Sequence, residues 1–202
     1  MNKLVKRIFD LLIASIGLFI LVPVFSVISL IILLTMPGPI LFRQNRVGLS
    51  GKIFSLNKFR TMRVAMNSCS ENFDAGDRSR ITRFGKLLRR AKLDELPQLI
   101  NVIKGEMSIV GPRPEVKKWT EVYPEKWAIV LTVRPGITDN ASILFRNEEE
   151  ILNKSINPEE TYRNEILPKK LDLYIDYVNN NNFSRDIIII FQTIKAILFK
   201  WK

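Results

Sequence analysis

Apolar positions are spread unevenly along the chain. From Leu11 to Met36 no charged residue interrupts them, and beyond that point they fall into short pieces separated by polar turns. A helix over this run of about 26 residues is long enough to cross a bilayer. The run is too long for the core of a signal peptide, and no small-residue cleavage site follows it. Two features argue against a straight crossing. Pro23 stands near the middle, where it removes a backbone hydrogen bond and kinks a helix. Both flanks are basic, with Lys3, Lys6 and Arg7 before the run and Arg43, Arg46 and Lys52 after it. Basic flanks stay on the cytosolic side. A re-entrant helix–break–helix that turns at Pro23 and returns through one leaflet satisfies both facts better than an ordinary transmembrane anchor. Asp10 is placed to pair with Lys6 or Arg7 at headgroup level. This divides the chain into a membrane hairpin over residues 1–36 and a cytosolic, membrane-associated domain over residues 37–202.

The shorter pieces predict further elements. Pro37-Gly38-Pro39 ends the membrane helix. Ile40-Leu41-Phe42 and the roughly alternating run Ile53–Phe59 read as a hairpin around Gly48-Leu49-Ser50-Gly51. Residues 67–80 read as a mobile polar loop. Residues 81–92 form a basic amphipathic helix, suited to an anionic membrane surface or to a plain solvated face. Another helix starts near Asp94 and ends at Lys104-Gly105, a last-turn cation followed by a capping glycine. Met107–Val110 is a short buried strand. Residues 119–131 read as a helix that Pro124 starts or interrupts, and Glu148-Glu149-Glu150 opens another. Residues 159–179 are helical with a break at Pro168. A final helix over residues 187–201, capped by Ser184-Arg185-Asp186, carries four consecutive isoleucines and ends among Lys195, Lys200, Trp201 and Lys202. That end suits a membrane interface or burial against the domain. The whole is an α+β fold: a re-entrant membrane segment, a small hairpin or sheet, and several amphipathic, interface-lying helices.

Composition narrows the chemistry. The 202 residues carry a net charge of +11, which attracts nucleic acid, anionic lipid or phosphorylated small molecules. The chain has no histidine and a single cysteine, Cys69. Ser-His-Asp and Cys-His triads, His-ligated zinc and intramolecular disulfides are therefore excluded. Acid–base or nucleophilic work falls to carboxylates, lysines, tyrosines or serines, and a metal would be a hard, oxygen-bound cation such as Mg²⁺.

One stretch combines the required groups. Arg89, Arg90 and Lys92 precede the adjacent carboxylates Asp94 and Glu95, with Pro97 close behind. Asp94 could be only a helix cap with Glu95 in the first turn. It could also be a nucleophile towards phosphorus, with Mg²⁺ and cations offsetting the charge. Further cations recur at predicted element ends: Lys58, Arg60, Arg89, Arg113, Arg134 and Arg146. Arg113 stands between Pro112 and Pro114, whose restricted backbone gives a rigid guanidinium suited to phosphate or carboxylate. A membrane segment adds that one substrate is a lipid. These residues point to a membrane-surface enzyme acting on a phosphorylated substrate.

Several blocks, in one order, resemble a known family. They are Lys6-Arg7-Ile8-Phe9-Asp10, Gly38-Pro39-Ile40-Leu41-Phe42-Arg43-Gln44, Arg46-Val47-Gly48, Lys58-Phe59-Arg60-Thr61-Met62 and Leu93-Asp94-Glu95-Leu96-Pro97-Gln98. They continue through Asn101–Ser108, Val110-Gly111-Pro112-Arg113-Pro114 and Arg134-Pro135-Gly136-Ile137-Thr138. Over nearly its whole length the chain resembles the monotopic phosphoglycosyl transferases, the bacterial sugar transferases. The resemblance implies transfer of a sugar 1-phosphate from a UDP-sugar to a polyprenol phosphate such as undecaprenyl phosphate, with release of UMP, at the cytosolic face of the bacterial inner membrane. It implies that Asp94 is the nucleophile that holds a covalent phosphosugar and that Glu95 supports Mg²⁺. It also implies that Pro112, Arg113 and Pro114 bind the nucleotide end, that Lys58, Arg89 and Arg146 lie near the phosphates, and that the membrane segment is re-entrant. Two blocks depart from the family pattern. Val22-Pro23 replaces the usual Ser-Pro, and Asp139-Asn140-Ala141-Ser142 follows Thr138 where many members have Gly-Leu-Ala-Gln.

The rival readings are a membrane-tethered basic binding module and an inactive scaffold for glycan assembly. The basic segments lack interleaved aromatic platforms, so no nucleic-acid partner is expected.

Overall fold

In the computed structural model, residues 2–63 and 80–199 are described. Most of the polar loop expected over residues 67–80, and the terminal cluster Lys200, Trp201 and Lys202, lie outside them. Helix α1 (Lys3–Thr35) leads into a hairpin of β1 (Leu41–Val47) and β2 (Ile53–Phe59). Helix α2 (Arg83–Arg90), a single 3₁₀ turn (Leu93–Glu95) and α3 (Gln98–Lys104) follow. Strand β3 (Ser108–Val110), α4 (Lys117–Thr120), α5 (Pro124–Val130) and β4 (Gly136–Thr138) come next. The remainder is helical: α6 (Asn140–Leu144), α7 (Glu148–Lys154), α8 (Pro158–Thr161), a π turn (Tyr162–Ile166), α9 (Leu167–Asn180) and α10 (Phe183–Phe199).

Helix α1 is long and apolar enough to cross a membrane, and it runs unbroken through Pro23. The expected break in secondary structure is therefore absent. Proline removes one N–H and leaves the rest of the ladder to carry the helix; next to it Ser26 Oγ donates to the Val22 carbonyl at 3.0 Å, a back-bond that bends helices. One stripe of α1 packs on the rest of the chain along its length. Asp10, Ala14, Ile28 and Ile32 are buried, and Leu18, Leu21 and Phe25 are half-buried between them. The other faces leave Leu12, Ile16, Phe19, Ile20, Val27, Leu30, Leu33 and Leu34 exposed. Asp10 does not pair with its basic neighbours as expected. Its carboxylate accepts from Ser108 Oγ and Ile109 N, both at 3.0 Å. Lys6 instead bonds Asp186 on α10 at 2.6 Å. Arg7 caps the last carbonyls of α3, donating to Val102 and Ile103. The amphipathic stripe turns Asp10 inward, where only uncharged donors meet it.

The hairpin is longer than its apolar residues suggest, pairing Leu41 with Phe59 through to Val47 with Ile53. The polar residues of β1 continue it because Phe54, Leu56 and Phe59 on β2 carry the buried face. Strands β3 and β4 form a two-stranded parallel pair. Beyond β3 the chain meets the start of β4 at Gly111 and Gly136, where a Cβ on Gly136 would lie 2.1 Å from the Gly111 nitrogen.

Prolines set several helix limits. Pro124 begins α5 and separates it from α4. Pro168 does not break the last part of the domain. It occupies the first turn of α9 directly after the π turn, where the missing N–H leaves no gap. Helix α10 starts at Phe183 and is capped by Asn182, whose Oδ1 accepts from Arg185 N at 2.8 Å; Ser184 lies inside its first turn. Of the four isoleucines only Ile189 is buried.

Candidate active site

Three connections bring the site together. Helix α2 is capped by Thr82, whose hydroxyl accepts from Gly85 N at 2.9 Å, and α2 packs so closely that a Cβ on Gly85 would meet the Thr61 carbonyl at 2.1 Å. At its end Lys92 takes the left-handed conformation, φ 58° and ψ 18°, and reverses the chain into the 3₁₀ turn that holds Asp94 and Glu95. Asp94 is thus not a helix cap. Its side chain makes no capping bond, and α3 begins behind Pro97. The helix end, by contrast, is as the sequence predicts, with Gly105 at φ 85°.

The second connection is β2, which carries Lys58 to the same place. The third is the turn after β3. Its rigidity comes from carbonyls as well as rings: Pro112 O accepts from Gly136 N at 2.9 Å, and Pro114 O accepts from Arg46 at 3.3 Å. From this turn Arg113 reaches Glu95 with both terminal nitrogens, Nη1 to Oε2 at 3.2 Å and Nη2 to Oε1. Lys58 Nζ adds a bond of 2.8 Å to Oε1. Glu95 therefore lies between two cations. Its neighbour differs: Asp94 is 7% exposed, and its Oδ1 is buried without a hydrogen-bond partner.

The electrostatics separate the two carboxylates. Burial and the adjacent charge of Glu95 raise the Asp94 pKa, against the opposing pull of Lys58, Lys92 and Arg89. Burial also pushes Glu95 upward, but Arg113 and Lys58 outweigh it and hold Glu95 well below the usual carboxylate range. Burial lowers the Lys58 pKa despite Glu95, and Glu95 raises that of Arg113. One carboxylate is locked as an anion, and the other is poised nearer to protonation.

The structure thus gathers Asp94, Glu95, Lys58, Arg113, Pro112 and Pro114, with Arg89 close enough to act on Asp94 while its Nε donates to Thr61 Oγ1 at 2.9 Å. Two predicted substrate-binding residues have other partners. Arg60 donates to the carbonyls of Met36 and of Pro37, the latter at 2.9 Å, and so ties the end of α1 to β2. Arg146 donates to the Ala196 carbonyl on α10. Both are correctly placed at element ends, but there they satisfy carbonyls. Arg134 does likewise, its Nε donating to Gly105 O at 2.9 Å. Three further residues contribute to the site, of which the sequence singled out only Lys92, as one of the cations preceding the dyad. Lys92 acts on both carboxylates through its charge. Gln98 is buried one turn beyond Asp94. Asp139, at the end of β4, faces Arg113 electrostatically. The parallel pairing of β3 with β4 sets Asp139 beside the Arg113 turn, and only the departure at residues 139–142 hinted at it.

Asp94 and Glu95 offer hard oxygen donors of the kind Mg²⁺ takes. Among the described residues no group of three or more His, Cys, Asp or Glu could hold a metal. Asp94 Oδ1 is the unpaired oxygen of the dyad, and both oxygens of Glu95 are engaged by Arg113 and Lys58.

This arrangement is a buried carboxylate pair among cations on an α+β domain whose first helix is long and apolar enough to cross a membrane. The chain belongs to the bacterial sugar transferase family, whose profile matches residues 1–200. It is 37% identical over 197 residues to the UDP-glucose:undecaprenyl-phosphate glucose-1-phosphate transferase of Escherichia coli K12, covering 96% of this chain and 40% of that protein. It is 33% identical over 197 residues to the UDP-N-acetylgalactosamine-undecaprenyl-phosphate N-acetylgalactosaminephosphotransferase of Aeromonas hydrophila, covering 96% and 44%. An uncharacterized sugar transferase of Bacillus subtilis, EpsL, is 38% identical over 196 residues, covering 96% and 88%. The chain spans about two fifths of the length of the first two relatives.

Proposed function

We propose that this protein transfers a sugar 1-phosphate from a UDP-sugar to a polyprenol phosphate, of the undecaprenyl class named for its relatives, and releases UMP. The observation that carries the reading is the unpaired, buried Asp94 Oδ1 beside a Glu95 held by Lys58 and Arg113. A carboxylate oxygen without a partner is available to a phosphorus atom, and the cations around it offset the charge of an incoming diphosphate.

In the first half-reaction Asp94 attacks the β-phosphorus. The bond from that phosphorus to the bridging oxygen breaks, and UMP leaves with the electron pair. In the second, an oxygen of the lipid phosphate attacks the same phosphorus and Asp94 departs as a carboxylate. No net proton is exchanged, so a histidine is unnecessary. Asp94 must be ionised to begin, and Lys58, Lys92 and Arg89 oppose the burial that would keep it protonated. Arg113 and Lys58 can exchange Glu95 oxygens for phosphate oxygens of equal charge. Mg²⁺, held by Asp94 and Glu95, would neutralise the diphosphate and polarise its phosphorus.

The same reading covers the membrane. The packed stripe of α1 runs from Asp10 to Ile32, and Met36 beyond it is buried as well. A straight crossing would carry the domain into the bilayer. Together with basic flanks at both ends, this supports a re-entrant segment over residues 1–36 that bends near Pro23 in one leaflet, with residues 37–202 on the cytosolic face of the inner membrane. Accessibility labelling of both termini in sealed vesicles should place them on one side; an N-terminus on the opposite face would refute the topology. The reaction is tested by incubating membranes with UDP-sugars and Mg²⁺. UMP should be released, and Asp94 should carry a sugar-phosphate adduct visible by mass spectrometry of its peptide. Turnover with no adduct, or normal turnover in Asp94→Asn, would sink the mechanism.

A further inference from the structure

Gln98 and Asn101 stand at i, i+3 in the first turn of α3, on one face, and Asp94 precedes Gln98 by four residues in the 3₁₀ turn. Leu93, Leu96, Leu99 and Val102 on the other faces pack into the core. The polar face lies along β2, to which Asn101 is fully bonded. Its Oδ1 accepts from the Asn57 backbone at 3.1 Å and side chain at 3.0 Å, and its Nδ2 donates to Ser55 O at 2.8 Å and Glu106 at 2.6 Å. Gln98 has the same amide chemistry and is equally enclosed, at 2% exposure, yet its Nε2 has no acceptor. Burying an amide donor without an acceptor is destabilising. Asp94 Oδ1, in the 3₁₀ turn just before α3, is likewise unpaired. A donor and a carboxylate oxygen four residues apart are thus both left open, whereas the amide of Asn101 is bonded at every atom.

We propose that Gln98 is a catalytic residue whose Nε2–H donates to a non-bridging oxygen of the phosphoryl group transferred to Asp94. The assignment rests on the transfer reaction proposed above. As the Asp94–phosphorus bond forms and the bond to UMP breaks, negative charge gathers on the non-bridging oxygens. A preorganised, water-excluded donor stabilises that charge without reorganisation. Gln98 keeps its proton throughout, so the balance of the reaction is unchanged. The orphaned donor of the free protein is then satisfied only with substrate in place, which places its benefit in catalysis and its cost in stability.

This division of cost and benefit gives the test. Gln98→Met and Gln98→Leu remove the donor while filling its volume. Single-turnover UMP release from the UDP-sugar that the wild type turns over, with Mg²⁺ and no lipid acceptor, should slow by about 100-fold, the usual loss for one such donor. KM should stay within about threefold, as for an interaction made chiefly in the transition state. The melting temperature of the purified full chain should stay the same or rise, because a buried unpaired group has been removed. A wild-type rate in both variants would overturn the assignment. So would a fall in melting temperature alongside the rate, the mark of a structural glutamine. If the wild type released no UMP from any UDP-sugar, the transfer reaction itself would fail, a result distinct from wild-type turnover that the variants share.

Discussion

Two clusters of buried charge flank the Pro112-Arg113-Pro114 turn, and they differ in completeness rather than in kind. Behind the turn, Glu115 accepts from Tyr162 Oη at 2.6 Å and from Arg46 Nη1 at 3.1 Å. Lys170, itself buried, lies 3.5 Å from Glu115 and 3.1 Å from Glu148. Both oxygens of Glu115 are paired, and although burial pushes its pKa up, Lys170 and Arg46 hold it low. In front, Glu95 is equally well paired, but Asp94 beside it leaves Oδ1 open. A buried carboxylate with full partners ties elements together, here α9 and β1 to the turn. One left open is either a defect or a place for substrate, and its position among cations supports the proposed role in substrate binding.

Asp94→Asn should have the largest effect. UMP release should fall by about 10⁴-fold or more, as when a covalent nucleophile is lost. Thermal stability should hold or improve, because the charge removed is one that burial disfavours. Glu115→Ala should behave in the opposite way. It removes the carboxylate shared by Lys170 and Arg46, leaving Lys170 with Glu148 and Tyr162 and Arg46 with Gln44 and Pro114 O, and should cost about 3–5 kcal/mol in denaturant unfolding. If Asp94→Asn were the more destabilising of the two, the contrast would collapse.

Tyrosines give a finer test. Tyr162→Phe deletes the donor to Glu115 and should destabilise by about 1.5–3 kcal/mol. Tyr174→Phe deletes a buried hydroxyl that has no partner, and should be neutral or slightly stabilising in the same unfolding assay.

The smallest effect is a sign. Asp94 has a raised pKa, so folding favours its protonated form. Its contribution to stability is full below the unfolded carboxylate value and is lost as pH rises through the folded one. Glu95 has a lowered pKa, so its contribution is present above the unfolded value and is lost as pH falls towards the folded one. Unfolding free energies measured across the acid range should therefore change slope in opposite directions in Asp94→Asn and Glu95→Gln. UMP release should rise with pH as Asp94 ionises; a rate that fell over that interval would contradict its role as nucleophile.

Much of the architecture could be read from residue order. The uncharged run, the hairpin, the Lys104-Gly105 helix end and the Asp94-Glu95 dyad all follow from local rules of charge, periodicity and backbone freedom. Arg60 and Arg146 show where such rules stop. At the ends of strands and helices a guanidinium can meet a phosphate or a free carbonyl, and both positions look alike in sequence. Asp94 shows the same limit. An acidic residue before a helix suggests a cap, but a left-handed Lys92 turned it into the middle of a 3₁₀ turn.

Residue types narrowed the chemistry open to this protein. Without histidine and with one cysteine, nucleophilic work falls to carboxylates, lysines, tyrosines or serines, and an adjacent carboxylate pair among cations favours phosphorus chemistry. Tertiary structure alone decided which cations reach the dyad and which atoms remain unpaired. Those outcomes depend on bonds between residues far apart in the chain: Lys58 and Arg113 converging on Glu95, Asn57 and Ser55 closing on Asn101, and no acceptor arriving for Gln98. Hydrogen-bond completeness is a property of packed neighbours, and residue order carries no direct record of it.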